Sequence, residues 1–251
     1  MSHIWSINKV RKHVKEKDKS NLLFGQTCPE GCENMREKLL DLIFPPKCPY
    51  CQSILEDPKA LMCSVCQPEL PWLEGRRGAR RVDFADGCFS PLAYRDKVPE
   101  AVHRYKFHRV RALGRPFGAL MSQCLGDRLS GPADLVCWAP LSRQRLRERG
   151  FDQAELMAQE VGRRLSVPVG QVLEKARNTR PQSELEDESA RQANARGAYV
   201  LLPGAALTGK RVVLVDDVVT SGSTLSECAA LLRQAGAAEV WCLTLAQARS
   251  D

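Results

Sequence analysis

Residues Val212 to Thr224 read VVLVDDVVTSGST. Val212 to Val215 is too short and apolar for a surface element and too β-branched to open a helix, so it reads as a buried strand. Asp216 and Asp217 follow at its carboxyl end, the edge where open α/β sheets bind ligands. Thr220 to Thr224 then leads into a helical pattern of Leu225, Cys228, Ala229, Leu232 and Ala235. A loop of small side chains ahead of a helix aims backbone N–H groups and the helix dipole at one spot, which suits a phosphate dianion. The hydroxyls of Thr220, Ser221, Ser223 and Thr224 add donors around Gly222. The two carboxylates suit the vicinal hydroxyls of a ribose, with Mg2+ nearby. An ordinary capped strand–turn–helix leaves two consecutive acids beside a buried strand unexplained. No Gly-Lys pair follows the glycine, so the loop is not of the Walker A kind.

On either side of this loop, strand and helix alternate. Asp134 to Ala139 and Val240 to Leu245 are short apolar strands. Ala154, Met157, Ala158, Val161 and Leu165 line one helix face. Val98, Ala101, Val102 and Tyr105 line another, and Leu113, Phe117, Leu120, Met121 and Cys124 a third. Ala85 to Tyr94 reads as a pair of short strands. Apolar strands alternating with helices predict an α/β fold with a parallel sheet flanked by helices. Residues 82–251 form this domain. A small module with a helix and the paired cysteines is expected over 35–75, and residues 1–34 are expected to be a basic, disordered extension. With 251 residues, 43% hydrophobic and 27% charged, the composition is that of a soluble globular chain. No apolar run approaches the roughly 18 residues of a membrane helix, and the first residues lack the apolar stretch of a signal peptide. The expected location is therefore the cytoplasm.

The chain has 11 cysteines, an odd number in a sequence without an export signal, which argues against a disulfide framework. Cys137, Cys228 and Cys242 stand singly in apolar surroundings and read as core. Cys28 and Cys32 receive no role. Cys48-x-x-Cys51 and Cys63-x-x-Cys66 give four thiolates on two knuckles, enough to complete a zinc tetrahedron with no open position, hence a structural site. A redox pair suits one such knuckle better than two, and an iron–sulfur cluster is the lesser alternative.

Three further stretches carry a family resemblance. They are YKF at Tyr105 to Phe107, VCWAP running into LSRQRLRERGFDQAELMA up to residue 158, and ARNTRPQSELEDESARQANARGAY over 176–199. With the cysteine knuckles and the Val212 to Thr224 loop, they resemble the ComF family over roughly residues 37 to 247. These are competence-protein-like members of the type I phosphoribosyltransferase fold with an N-terminal zinc ribbon. The resemblance implies that Asp216, Asp217 and Thr220, Ser221, Gly222, Ser223 and Thr224 form a loop for phosphoribosyl diphosphate (PRPP). The two acids would hold the ribose during catalysis. It implies that the Pro140, Leu141, Ser142 turn receives pyrophosphate and that Lys106, Arg145 and Arg149 serve the same ligand. Arg177, Thr179, Gln182, Leu185, Arg191 and Asn194 would form a cover. One residue departs from the family pattern: Asp152 stands where asparagine is usual, and an ionised carboxylate accepts hydrogen bonds but donates none.

The resemblance implies a PRPP-binding phosphoribosyltransferase-like protein, with release of pyrophosphate if a group is transferred and with DNA-processing proteins as partners. Two other readings stay open: a non-catalytic factor handling single-stranded DNA in competence, and a PRPP-sensing regulator. A net charge of +7 favours anionic ligands, whereas aromatics at 6% show no stacking ladder in the sequence. Arg143, Arg145, Arg147 and Arg149 alternate; on a helix they would spread around the axis, on an extended loop they would share a side. A solvated basic loop is the plainer alternative.

Overall fold

The computed structural model describes residues 45–125, 129, 131–176 and 197–248. The basic extension, Cys28, Cys32, the expected helix around Met35 to Ile43 and the polar third block from Arg177 to Asn194 lie outside the described residues. Residues Pro45–Asp251 belong to one compact unit.

In chain order the elements are α1 (Cys66–Glu69), β1 (Ala79–Arg80), β2 (Gly87–Phe89), β3 (Leu92–Ala93), α2 (Val98–Phe107), α3 (Gly114–Leu125), β4 (Leu135–Trp138), α4 (Arg143–Arg149), α5 (Gln153–Leu165), β5 (Leu173–Lys175), β6 (Tyr199–Leu201), β7 (Arg211–Val219), α6 (Ser223–Gln234) and β8 (Glu239–Gln247). The main sheet runs β1-β2-β8-β7-β4, and β3 follows β2 along the same edge of β8. All pairings are parallel except β1 with β2. Strands β5 and β6 form a separate antiparallel hairpin. No described helix is long and apolar enough to cross a membrane.

The period-2 alternation of β7 explains why both faces are covered. Val213 and Val215 point, with Leu243 and Leu245 of β8, into a core built with Leu120 and Met121 of α3 and Met157 and Val161 of α5. Val212 and Leu214 point the other way, with Cys242, toward Leu225, Cys228, Ala229 and Leu232 of α6. Cys137, Cys228 and Cys242 are fully buried, as expected of small hydrophobes.

Strand β7 is longer than its apolar run. It continues through both acids to Val219 because β8 pairs with it all the way, Asp216 opposite Thr244 and Val219 opposite Gln247. The other neighbour stops earlier: the last β4 pairing is Trp138 with Val215. Beyond that point β4 turns away into Pro140 to Ser142. The acids therefore lie at the carboxyl edge of the sheet, beside the turn that leaves it.

The cysteine module packs onto the α2 and α3 side. Tyr50, Leu55 and Leu70 share the core of those helices. Arg104 of α2, itself buried, donates to the carbonyls of Pro49 (2.6 Å) and Tyr50 (3.1 Å). Lys97 pairs with Glu69 at 2.5 Å.

Candidate phosphoribosyl site and metal centre

The four knuckle sulfurs lie within 4.8 Å of one another. Zinc–sulfur bonds of about 2.3 Å set tetrahedral edges near 3.8 Å, so this cluster fits a zinc ion. Its surroundings fit as well. Cys63 N–H points at Cys48 Sγ (3.5 Å), Cys66 N–H at Cys63 Sγ (3.4 Å) and Lys97 Nζ at Cys66 Sγ (3.8 Å). Donors aimed at sulfur favour thiolate. Burial, with the neighbouring sulfurs, pushes the Cys66 thiol up, while the Ser53 hydroxyl pulls Cys51 down to about 6. Crowded sulfurs that resist ionising together are the setting a dication relieves. Cys48 and Cys66 are buried, so the centre is structural rather than open to substrate.

At the sheet edge, alternation along β7 sends the two acids to opposite sides. Asp217 faces α2, where Lys106 Nζ meets its Oδ2 at 2.8 Å; both side chains are largely covered. Asp216 faces α6 and accepts the Asp217 N–H at 2.8 Å. Burial and then the charge of Asp217 push the Asp216 carboxyl up to about 7, against the pull of Lys106. A carboxyl that resists ionising, beside a second acid paired with Lys106, is suited to receive cationic or hydroxylic ligands.

The loop after β7 begins α6 at Gly222, whose φ of +85° is the left-handed conformation that glycine adopts at little cost. A glycine cap leaves the helix start without a side-chain lid. Ser221 Oγ sits 3.1 Å from Ser223 Oγ and accepts from the Ser223 N–H at 3.4 Å. Hydroxyls, first-turn amides and the helix dipole thus gather at one point.

Past the end of the neighbouring strand β4, Ser142 caps α4 by accepting the Arg145 N–H at 3.4 Å, and Gly150 ends it with φ +80°. The arginine run is therefore a helix and not an extended loop. Its charges divide by turn. Arg145 and Arg149, four residues apart, lie half-buried on one face. Arg143 and Arg147 turn outward and, with Glu174 and Lys175, line a shallow depression; Arg143 pairs with Glu174 at 2.8 Å. Arg149 donates to Gln153 Oε1 at 2.8 Å and lies within electrostatic reach of Asp217.

Asp152 uses only its acceptors. Oδ2 takes the Leu141 N–H (2.8 Å), while Oδ1 caps α5 through Ala154 N–H (3.0 Å) and Glu155 N–H (3.4 Å). A carboxylate thus does at this position everything the local backbone asks. Burial raises its pKa to about 6 in spite of those three bonds. Asp152→Ala should cost roughly 2–3 kcal/mol, the sum of a lost cap and a lost tether on the Leu141 turn. That is a melting-temperature fall of about 4–12 °C in a unit of this size. A thermal melt unchanged from the parent would contradict the tether. Asp152→Asn keeps the cap oxygen and should fall less.

Sequence reasoning missed Lys175. It is half-buried, its ammonium 3.2 Å from the Tyr199 hydroxyl and 4.9 Å from the centre of that ring. It is bridged to Ser142 across parallel backbone. Burial and then Arg145 lower its pKa, while Asp216 raises it. It therefore belongs to the same neighbourhood as the Asp216 side of the site. The sequence carries little signal for it, since in VLEKA over Val172 to Ala176 the preceding Glu174 makes Lys175 look like an ordinary surface cation. Of the expected residues, Lys106, Arg149 and Asp217 come together on the α2 side. Leu141, Ser142, Arg145 and Asp216 gather toward the hairpin, and Thr220 to Thr224 closes the strand end.

Comparison with known proteins bears on both centres. Residues 152–251 match the phosphoribosyl transferase domain family, and residues 39–80 match the double zinc ribbon domain family. Competence protein F of Haemophilus influenzae is 28% identical over 225 residues, spanning 80% of this chain and 97% of that protein. DNA utilization protein YhgH of Salmonella typhimurium is 33% identical over 205 residues, spanning 78% of this chain and 82% of that protein. Adenine phosphoribosyltransferase of Mycobacterium tuberculosis is 35% identical over 119 residues, 47% of this chain and 50% of that enzyme.

Proposed function

Since this chain belongs to the family of competence protein F and the DNA utilization protein YhgH, we propose that its phosphoribosyltransferase domain binds PRPP at the carboxyl edge of β7 and β4. One observation carries the reading. The acid pair, the Gly222 loop and the Leu141 turn, which come from separate stretches of sequence, meet where β4 leaves β7. In this assignment the 5-phosphate takes the Thr220 to Thr224 amides and hydroxyls. The ribose hydroxyls donate to Asp216 and Asp217. The pyrophosphate lies at Leu141 and Ser142, with Arg145, Arg149, Lys106 and Lys175 as its cations.

The donor set also fits Mg2+, a hard cation that takes carboxylate oxygen together with phosphate oxygens. Support for this comes from Asp216, whose carboxyl burial and Asp217 keep from ionising easily, a setting that a nearby cation relieves. Asp216 and Asp217 would hold the ion, and it would neutralise charge on the departing pyrophosphate. The residues of the chain do the rest. The acids fix the ribose as positive charge develops at C1, and the arginines and lysines hold the leaving oxygens. In a transfer, the bond from C1 to the pyrophosphate oxygen breaks with its electron pair leaving on pyrophosphate, and a bond from C1 to the acceptor forms.

Titration calorimetry with PRPP and Mg2+ on zinc-loaded protein tests the binding. A saturable heat is expected, and its absence from folded protein removes the proposal. Pyrophosphate release in the presence of a panel of bases and single strands then separates a transferase from a sensor.

A further inference from the structure

Tyr199, at the start of β6, touches both ends of the site. Its backbone is tied to the helix of the phosphate loop. Glu227 Oε1, one turn beyond Thr224 in α6, accepts the Ala198 N–H at 2.7 Å and the Tyr199 N–H at 3.3 Å. The side chain is 6% exposed and lies in the core that Leu225 and Cys228 of α6 share. Its hydroxyl stands 3.2 Å from the Lys175 ammonium and within hydrogen-bonding reach of the Thr224 side chain. Lys175 is bridged by its backbone to Ser142, the cap of α4. Thr224, Tyr199, Lys175 and Ser142 thus form one run of contacts from the phosphate loop to the Leu141 and Ser142 turn.

A buried tyrosine hydroxyl usually has a partner, and that alone means little. Here the chemistry of the partners gives the run a direction. An ammonium only donates, so the phenol oxygen accepts from Lys175. The phenol has one proton, which is then directed to Thr224 Oγ1. Burial above all raises the phenol's pKa, so the proton stays on it at neutral pH. Bonds in such a chain polarise one another. An anion that accepts from the Thr224 hydroxyl makes each oxygen behind it a better acceptor, and the chain ends on the Lys175 ammonium. A lysine stem has many rotamers. Stacked 4.9 Å from the centre of the Tyr199 ring and bonded to its hydroxyl, this one is held to few.

We propose that Tyr199 is a positioning residue that couples the two ends of the site: a phosphate on the Thr220 to Thr224 loop fixes Lys175 through the tyrosine hydroxyl and readies it for pyrophosphate. The coupling rests on the PRPP reading, and it is reciprocal, each end tightening the other.

Tyr199→Phe keeps the ring and its stacking on Lys175 and removes only the hydroxyl. Zinc-loaded, full-length protein is titrated with pyrophosphate and Mg2+, with and without saturating ribose 5-phosphate. In the parent, ribose 5-phosphate should tighten pyrophosphate about fivefold or more. In Tyr199→Phe that gain should fall below about twofold, while pyrophosphate alone binds nearly as it does to the parent. Lys175→Met should lose the gain as well and also weaken pyrophosphate alone, because the cation itself is gone; should Tyr199→Phe not fold, this variant decides. A parent that binds both ligands without any gain, an equal gain in the parent and Tyr199→Phe, or a Lys175→Met protein that keeps the gain each overturns the coupling and leaves the PRPP reading standing. A Tyr199→Phe protein that loses pyrophosphate affinity equally with and without ribose 5-phosphate makes the hydroxyl a structural group and overturns the coupling too. A folded parent that binds neither ligand overturns the PRPP reading itself, and the coupling with it.

Discussion

Cys66→Ser is expected to empty the zinc site and lower the melting temperature of the whole Pro45–Asp251 unit by more than about 10 °C. The size follows from what the metal holds together. Structural zinc contributes about 10–16 kcal/mol in the smallest ribbons. Here the module shares a core with the helices, so some structure survives its loss. Losing even 5 kcal/mol moves the melting point by roughly 10–20 °C at this chain length. The loss spreads because Tyr50, Leu55 and Leu70 are part of the α2 and α3 core and because Arg104, buried, has the Pro49 and Tyr50 carbonyls as acceptors. Moving those carbonyls leaves a buried guanidinium short of partners, which is costly. Metal analysis and a thermal melt with and without chelator check this. Cys137→Ser is the control: it disturbs an apolar strand yet should keep the zinc content of the parent. A Cys66→Ser protein that still binds zinc and melts like the parent would exclude the site.

What the sequence could and could not reveal divides along physical lines. Val212 to Val215 was legible because a strand buried on both faces has no polar alternation to hide. Its extension to Val219 was not, since two acids interrupt the hydropathy and only the β8 register keeps them in the ladder. The cysteine knuckles were legible because thiolates at that spacing have few other uses. The Arg143 to Arg149 segment hid its helix behind charge, although Ser142 ahead of it and Gly150 behind it are ordinary start and stop residues. Asp152 looked like a defect beside the family pattern; the backbone donors that converge on it, from Leu141 and from the first turn of α5, are a tertiary fact.

The acid pair should give opposite signs in stability and in binding. Asp216→Asn removes a carboxyl whose ionisation burial and Asp217 both oppose, and the new amide oxygen can still accept the Asp217 N–H. The folded protein should therefore melt at or above the parent temperature near neutral pH. The sign follows from the raised pKa: the unfolded chain ionises this group near 4, the fold resists until about 7, and the penalty carried at and above neutral pH disappears with the substitution. PRPP affinity should fall even so. A charge-assisted hydrogen bond from a ribose hydroxyl is worth about 1.5–3 kcal/mol, a loss of roughly 10- to 150-fold. Asp217→Ala should do more damage, because it removes a second such acceptor and also releases Lys106 from its 2.8 Å partner. Lys106→Met combined with Asp217→Ala should then cost less than the sum of the two, by about 1–2 kcal/mol, since the residues act as one unit. Calorimetry with PRPP and Mg2+ reads the affinities, and unchanged zinc content certifies the fold of each variant. Strictly additive losses would mean that Lys106 and Asp217 serve separate purposes. A less stable Asp216→Asn protein that binds PRPP as the parent does would place the ribose elsewhere.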